Sequence, residues 1–265
     1  MNAPEALHLA LLATALALTM MAALWVWHLR LKNAGIVDAG WSLGIGLVAL
    51  LYALLGSGWA PRRTAVAAMA LIWSVRLTAH LARRLHGEPE EGRYRALRAE
   101  WSGKGANVSR RFLFFFLFQG LLDVFLSLPM LLAVLNPEPR FSGWEIAGAA
   151  VWLVSIAGES LADAQLSAFK RIPANRGRTC DTGLWRYSRH PNYFFEWLVW
   201  VAWLVFALGS PWGAVAALCP ALMLFFLLRV TGIPATEEQA LRSRGEDYRR
   251  YQRTTSPFVP WLPKT

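Results

Sequence analysis

Seven apolar stretches, near residues 6–27, 35–55, 64–82, 112–135, 144–166, 193–208 and 212–230, constrain this chain more than any motif in it. A helix must run for about 20 apolar residues to cross a bilayer, because some 30 Å of hydrocarbon is covered at 1.5 Å per residue. No water is present there to satisfy backbone N–H and C=O groups, so stretches of this kind form helices. The expected fold is therefore all-α: a polytopic membrane protein with a bundle of about seven transmembrane helices. It is read as a single transmembrane helical domain over 1–265, with the motif-bearing C-terminal half at 144–265. A hydrophobic content of 55% excludes an ordinary soluble domain. The sixth stretch is the shortest, and only Gly209, Ser210 and Pro211 separate it from the seventh, which predicts a tight helical hairpin. The first stretch carries Glu5, lacks a basic leader and shows no small-residue cleavage pattern before His28, so it is expected to be retained as a span.

The net charge of +10 is distributed by topology. Basic residues crowd the first, third and fifth connections and the C-terminal tail, whereas the alternate connections hold only Arg62, Arg63 and Arg140. The positive-inside rule then predicts an external N-terminus and a cytosolic C-terminus. Membrane lipids, and not nucleic acid, are the expected partners of this charge. Residues 87–111 read either as a surface-lying amphipathic helix or as a solvated loop with Tyr94 and Trp101 as anchors. In the tail, Thr236 is expected to cap a helix beginning at Glu237, and Gly245 to interrupt it. Cys180 and Cys219 alone suggest neither a disulfide framework nor a thiolate metal site.

Ionisable residues inside hydrocarbon are costly and point to function or to ion pairing. Asp38, Arg76, His80, Asp123, Glu159, Asp163 and Glu196 fall inside the expected spans. Arg76 and His80, Glu159 and Asp163, and Asn192 and Glu196 are spaced i,i+4, so each pair shares a helical face. The plainer reading of any of them is an interhelical ion pair, such as Arg76 with Asp38 or Glu159. The stretch from Lys170 to Glu196 adds Arg178, Arg186 and Arg189 in company with Gly183, Tyr187, His190, Asn192 and Tyr193. Arginine binds phosphate bidentately, and Pro191 suits the first turn of a helix whose N-terminus favours anions. This is an anion-binding mouth above a buried carboxylate. No GxGxxG follows a strand, so a Rossmann cofactor fold is excluded.

The run GLWRYSRHPNYFFEW, from Gly183 to Trp197, together with TEEQALRSRGEDYRRYQRTTSPFVPW, from Thr236 to Trp261, resembles the bacterial branch of the steroid 5-alpha-reductase C-terminal superfamily, a DUF1295-type membrane protein family. The match covers about the last hundred residues; the first half agrees in hydropathy. The resemblance implies an NADPH-dependent reductase of the bacterial inner (cytoplasmic) membrane. Its cofactor lies in a cytosol-facing cavity and gives hydride to an activated carbon–carbon double bond of a lipid-like small-molecule substrate, a steroid or another enone. Carried over residue by residue, it implies cofactor contacts at Asp163, Lys170, Arg178, Asn192 and Glu196, joined by Tyr187, Arg189, His190 and Tyr193 of the loop and by Glu237, Glu238 and Tyr248 of the tail. Glu237 and Glu238 depart from the family's eukaryotic members, which have histidines there. Asp38 stands where those enzymes use a glutamate to polarise the substrate ketone, with Arg76 and His80 nearest the substrate. The partner tyrosine position falls on Trp73, which cannot protonate a carbonyl oxygen. The same Arg-His-Pro-x-Tyr and Glu-Glu pattern is similar to that of isoprenylcysteine carboxyl methyltransferases, so S-adenosylmethionine is the alternative cofactor. A transporter would be expected to show inverted repeats and broken helices, and neither is evident in the sequence.

Overall fold

The computed structural model describes residues 3–85, 90 and 92–264, and among them every regular element is helical. The chain divides into two compact units, Met1–Ser142 with Gly209–Gly213, and Gly143–Leu208 with Ala214–Thr265. Among the described residues, six helical stretches are long and apolar enough to cross a membrane. The remaining expected span, the sixth, is α8 (Pro191–Ala207), which has 17 residues. That is about 25 Å of helix, short of the hydrocarbon thickness of about 30 Å.

The first unit contains α1 (Ala3–Leu31), α2 (Ile36–Leu55), α3 (Ala60–Leu85), α4 (Gly92–Gly103), α5 (Val108–Leu126) and α6 (Leu128–Val134). Helix α2 packs against α1, α3 and α5, which is why it is the most buried span. Hydroxyls knit α2 to α3: Ser74 donates to the Ser42 carbonyl at 2.8 Å, and the Ser42 and Thr78 hydroxyls lie 2.8 Å apart. The fourth expected span breaks at Ser127, because Pro129 follows in the first turn of α6 and has no N–H to continue the ladder. Arg62, a topology charge by sequence, is fully buried. Its guanidinium donates to the carbonyls of Asn136 at 2.8 Å, Glu138 at 2.9 Å and Arg140 at 2.7 Å, clasping the loop after α6. Of the stretch 87–111, residues 87–89 and 91 lie outside the described residues, and 92–103 forms α4. Tyr94 and Trp101 are spaced i,i+7, so they share one face of α4 and pack on a core that includes Phe112 and Phe116.

The second unit contains α7 (Gly143–Arg171), α8, α9 (Leu218–Phe225), α10 (Ile233–Arg244) and α11 (Glu246–Thr254), with a π-helical turn at Phe226–Val230. Helix α7 packs along α8 at van der Waals contact made possible by small residues. A methyl group on Gly148 would stand 2.5 Å from the Phe206 backbone nitrogen, and one on Gly158 would enter the Phe195 ring. The Trp197 indole donates to the Pro220 carbonyl at 3.0 Å, tying α8 to α9. Helix α10 starts at Ile233 with Pro234 in its first turn, so Thr236 is not its cap. The Thr236 hydroxyl instead lies 3.0 Å from the Tyr193 hydroxyl. Gly245, at φ +55°, separates α10 from α11 as expected, since a left-handed residue ends a helix and glycine adopts it without strain.

Because the obstacle at Gly148 is backbone and cannot rotate away, Gly148→Leu is expected to lower stability by about 1–3 kcal/mol. Thermal unfolding of the detergent-purified protein measures this, and Ala149→Leu, on a neighbouring face of α7, serves as the control.

Candidate functional site

The loop between α7 and α8 is built on a glycine turn. Gly183 has φ +61°, and a Cβ there would lie 2.6 Å from the Gln165 amide, whose oxygen accepts the Leu184 N–H at 2.9 Å. The turn that follows, Gly183–Arg186, is pinned from below by the Trp185 indole, which donates to the Ala162 carbonyl of α7 at 3.0 Å. From the tail side, the Tyr251 hydroxyl donates to the carbonyls of Trp185 and Ser188. A basic, polar loop is thereby held rigid at the end of two apolar helices.

Arg189 and Glu237 form the centre of this arrangement. The Arg189 Nε lies 2.7 Å from Glu237 Oε1, and its Nη1 donates to the carbonyls of Gln252 and Thr255, each at 2.9 Å. Glu237 also accepts from Gln252 Nε2 at 2.9 Å and from the Tyr248 hydroxyl at 3.4 Å, and lies 3.3 Å from His190 Nε2. With side-chain exposures of 10% for Arg189 and 16% for Glu237, this is a largely desolvated ion pair whose remaining lone pairs and donors are met by neighbours. It locks the loop to α10, α11 and the tail. Burial pushes the His190 imidazole below its usual range, against the pull of Glu237, so the ring is neutral at physiological pH. It stacks on Tyr193 with ring centroids 5.4 Å apart.

The sequence-predicted residues thus divide by what surrounds them. Arg189, His190, Glu237 and Tyr248 converge on one clasp. Asn192 and Asp163 meet across α8 and α7 at 3.5 Å, and both are half-buried, as is Glu196 one turn further along α8. Tyr193 belongs to the apolar cluster of Leu227, Ile233 and Phe258 and presents its hydroxyl to Thr236. Lys170, Arg178 and Tyr187 are exposed around the mouth. Glu238 points to the solvated side of α10 and pairs with Arg242 at 2.5 Å, so the two adjacent glutamates have different surroundings. Helix α8 begins at Pro191, which leaves the amide groups of its first turn at the mouth of the loop.

In the first unit, Asp38 stands in the first turn of α2, where a carboxylate complements the helix dipole. It forms an ion pair with Arg93 and accepts a hydrogen bond from the Tyr94 hydroxyl at 2.8 Å. Trp73 is fully buried edge-on to Trp41, with centroids 6.0 Å apart. Arg76 and His80 are half-buried on α3, flanking the level of Thr78. Tyr94 is the residue that sequence reasoning left among the membrane anchors. Its i,i+7 relation to Trp101 places it on the packed face of α4, and only the tertiary structure brings its hydroxyl to Asp38.

Together these features define a multi-pass membrane protein with a polar loop and tail assembled at the end of its second helical unit. The family described as "Protein of unknown function (DUF1295)" matches residues 24–255, and the chain belongs to that steroid 5-alpha-reductase-like family. It is 27% identical over 217 residues to the uncharacterized protein C594.04c of Schizosaccharomyces pombe, a match covering 73% of this chain and 61% of that protein. The chain thus spans less than two thirds of its relative's length. No solved structure matches it significantly.

Two outcomes are expected from this geometry. Glu237→Ala strands a buried guanidinium and is expected to cost about 3–5 kcal/mol of stability, read from thermal or denaturant unfolding. For His190 the folded state disfavours the charged form, so its contribution is intact above the unfolded value near 6.5 and declines as pH falls through and below it. The melting temperature of the wild type should therefore fall more between pH 7.5 and 5.5 than that of His190→Gln.

Proposed function

We propose that the protein is an NADPH-dependent reductase of a bacterial inner membrane, acting on the activated carbon–carbon double bond of a lipid-like enone. The single observation that carries this reading is the Tyr94 hydroxyl held 2.8 Å from Asp38. Reduction of an enone develops negative charge on the carbonyl oxygen, and a phenol both hydrogen-bonds to that oxygen and can release its proton to it, whereas an indole N–H hydrogen-bonds without releasing a proton. Methyl transfer to a carboxylate, thiol or amine has no such requirement. Tyr94, not Trp73, is then the phenol that partners Asp38. Asp38 and Arg93 orient its O–H, and the substrate carbonyl replaces Asp38 as acceptor when bound. His80 and Arg76, on α3, are assigned to the substrate side.

The donor set of the second unit suits a dinucleotide. Exposed Arg178 and Lys170 and the amide groups at the start of α8 offer positive potential for phosphates, and the Asp163–Asn192 pair offers an acceptor and an amide for ribose or nicotinamide. NADPH, when bound, supplies the hydride. The residues of the chain position the double bond, stabilise the enolate oxygen through the Tyr94 O–H and admit the proton that completes the new C–H bond. Arg189, His190 and Glu237 act by holding the loop in register. A cytosolic placement of loop and tail follows from the positive-inside rule and gives access to NADPH.

NADPH at 100 times its dissociation constant is expected to stabilise the purified protein by about 2.7 kcal/mol, read as a rise in melting temperature. S-adenosylmethionine should leave the temperature unchanged. Stabilisation by S-adenosylmethionine alone would replace this reading with a methyltransferase of the isoprenylcysteine carboxyl methyltransferase type. Tyr94→Phe should keep the NADPH shift yet lower kcat for enone-dependent NADPH oxidation by about 10²-fold or more. Retention of full turnover by that variant removes Tyr94 from the mechanism.

A further inference from the structure

Residues 260–264 of the tail divide between two surfaces at the same end of the α7–α8 hairpin. Pro263 and Lys264 line a cleft of about 280 Å³ with Arg186, Arg250, Thr254 and Thr255. Pro260, Trp261 and Leu262 line a neighbouring apolar depression with Tyr187. Arg186 and Tyr187 are consecutive, so the polar cleft and the apolar depression adjoin through both the loop and the tail. The tail is fixed in this register by backbone bonds, Trp261 N–H to the Tyr187 carbonyl at 2.9 Å and Lys264 N–H to the Thr254 carbonyl at 2.8 Å. The Ser188 hydroxyl adds a bond to the Phe258 carbonyl at 2.7 Å.

Charge in the cleft is matched to a monoanion. Arg250 is paired with Asp247 at 2.8 Å, and Asp181 supplies one carboxylate to the cleft wall. Arg186 and Lys264 make no ion pair among the described residues. About one positive charge is therefore left uncompensated among the described residues, and a phosphodiester carries one negative charge. Beside it, Trp261 and Leu262 are 71% and 73% exposed, with Val259 at 52%. A free phosphate would have no use for that strip, whereas a diacyl lipid needs both surfaces. Location agrees, because α7 ends at Arg171 and α8 starts at Pro191, which puts residues 172–190 and the tail bonded to them at the bilayer surface.

We propose that this pair of surfaces is a binding site for an anionic phospholipid, with the phosphodiester between Arg186 and Lys264 and the acyl region against Tyr187, Trp261 and Leu262. The site adjoins the Arg189–Glu237 clasp at Thr255, whose carbonyl accepts from Arg189, and does not depend on the reaction proposed for the protein. Bound lipid would seat the tail, and through it α11, on the membrane.

The test uses detergent-purified, delipidated full-length protein titrated with phosphatidylglycerol, with phosphatidylcholine and with inorganic phosphate, read by melting temperature and by native mass spectrometry of retained lipid. Phosphatidylglycerol should bind more tightly than phosphatidylcholine, and Arg186→Gln with Lys264→Gln should cut its affinity about thirty-fold, from roughly 1 kcal/mol per surface cation. Trp261→Ala should weaken both lipids. If the double variant does not fold, Lys264→Gln alone, at an exposed position, should still reduce the preference by about fivefold. An unchanged preference in either variant overturns the proposal. A shift by inorganic phosphate equal to that by phosphatidylglycerol also overturns it, in favour of a soluble-anion site.

Discussion

Hydrocarbon offers no hydrogen-bond partner, and an unsatisfied backbone group in it costs several kcal/mol. Three departures from regular helix here are met by named side chains. The loop after α6 hands three carbonyls to the buried guanidinium of Arg62. The break at Ser127 is bridged by its own hydroxyl, which donates to the Val124 carbonyl at 2.8 Å. The tail at Gln252 and Thr255 hands two more carbonyls to Arg189. Arginine serves both clasps because its planar fork satisfies several acceptors at once without losing its charge.

This use of arginine separates two jobs that look alike in a basic sequence. Arg189 and Arg178 are eleven residues apart in the same loop, yet one is 10% exposed at its side chain and tied to Glu237, and the other is exposed. The same division runs through the acids. Glu237 closes the clasp, and its neighbour Glu238 pairs with Arg242 on the solvated face of α10. In a helix, adjacent residues point about 100° apart, so a Glu-Glu motif cannot place both carboxylates in one contact. A motif match assigns both glutamates one role, and the backbone gives each a different one.

The membrane class, the all-helical fold and the start of α8 at Pro191 were legible in the chain, since hydropathy and proline geometry act over a few residues. The family was legible in the run from Gly183 to Trp197 and in the tail. The span count was less so: the apolar run near 193–208 reads as a crossing, the shortest of the seven, and the structure makes it a helix of 17 residues. The cap expected at Thr236 failed because the helix already starts at Ile233, with Pro234 in its first turn, and the Thr236 hydroxyl has a partner in Tyr193.

Composition and hydropathy by themselves determined that this chain forms membrane helices, because burying apolar residues and satisfying backbone groups are requirements each segment meets locally. They also determined which residues carry charge where charge is expensive. Which charges meet was decided only by tertiary structure. Asp38 and Tyr94 are 56 positions apart, and Arg189 and Glu237 are separated by 48. Contacts over such distances are set by how helices pack and loops fold back, and no local periodicity encodes them.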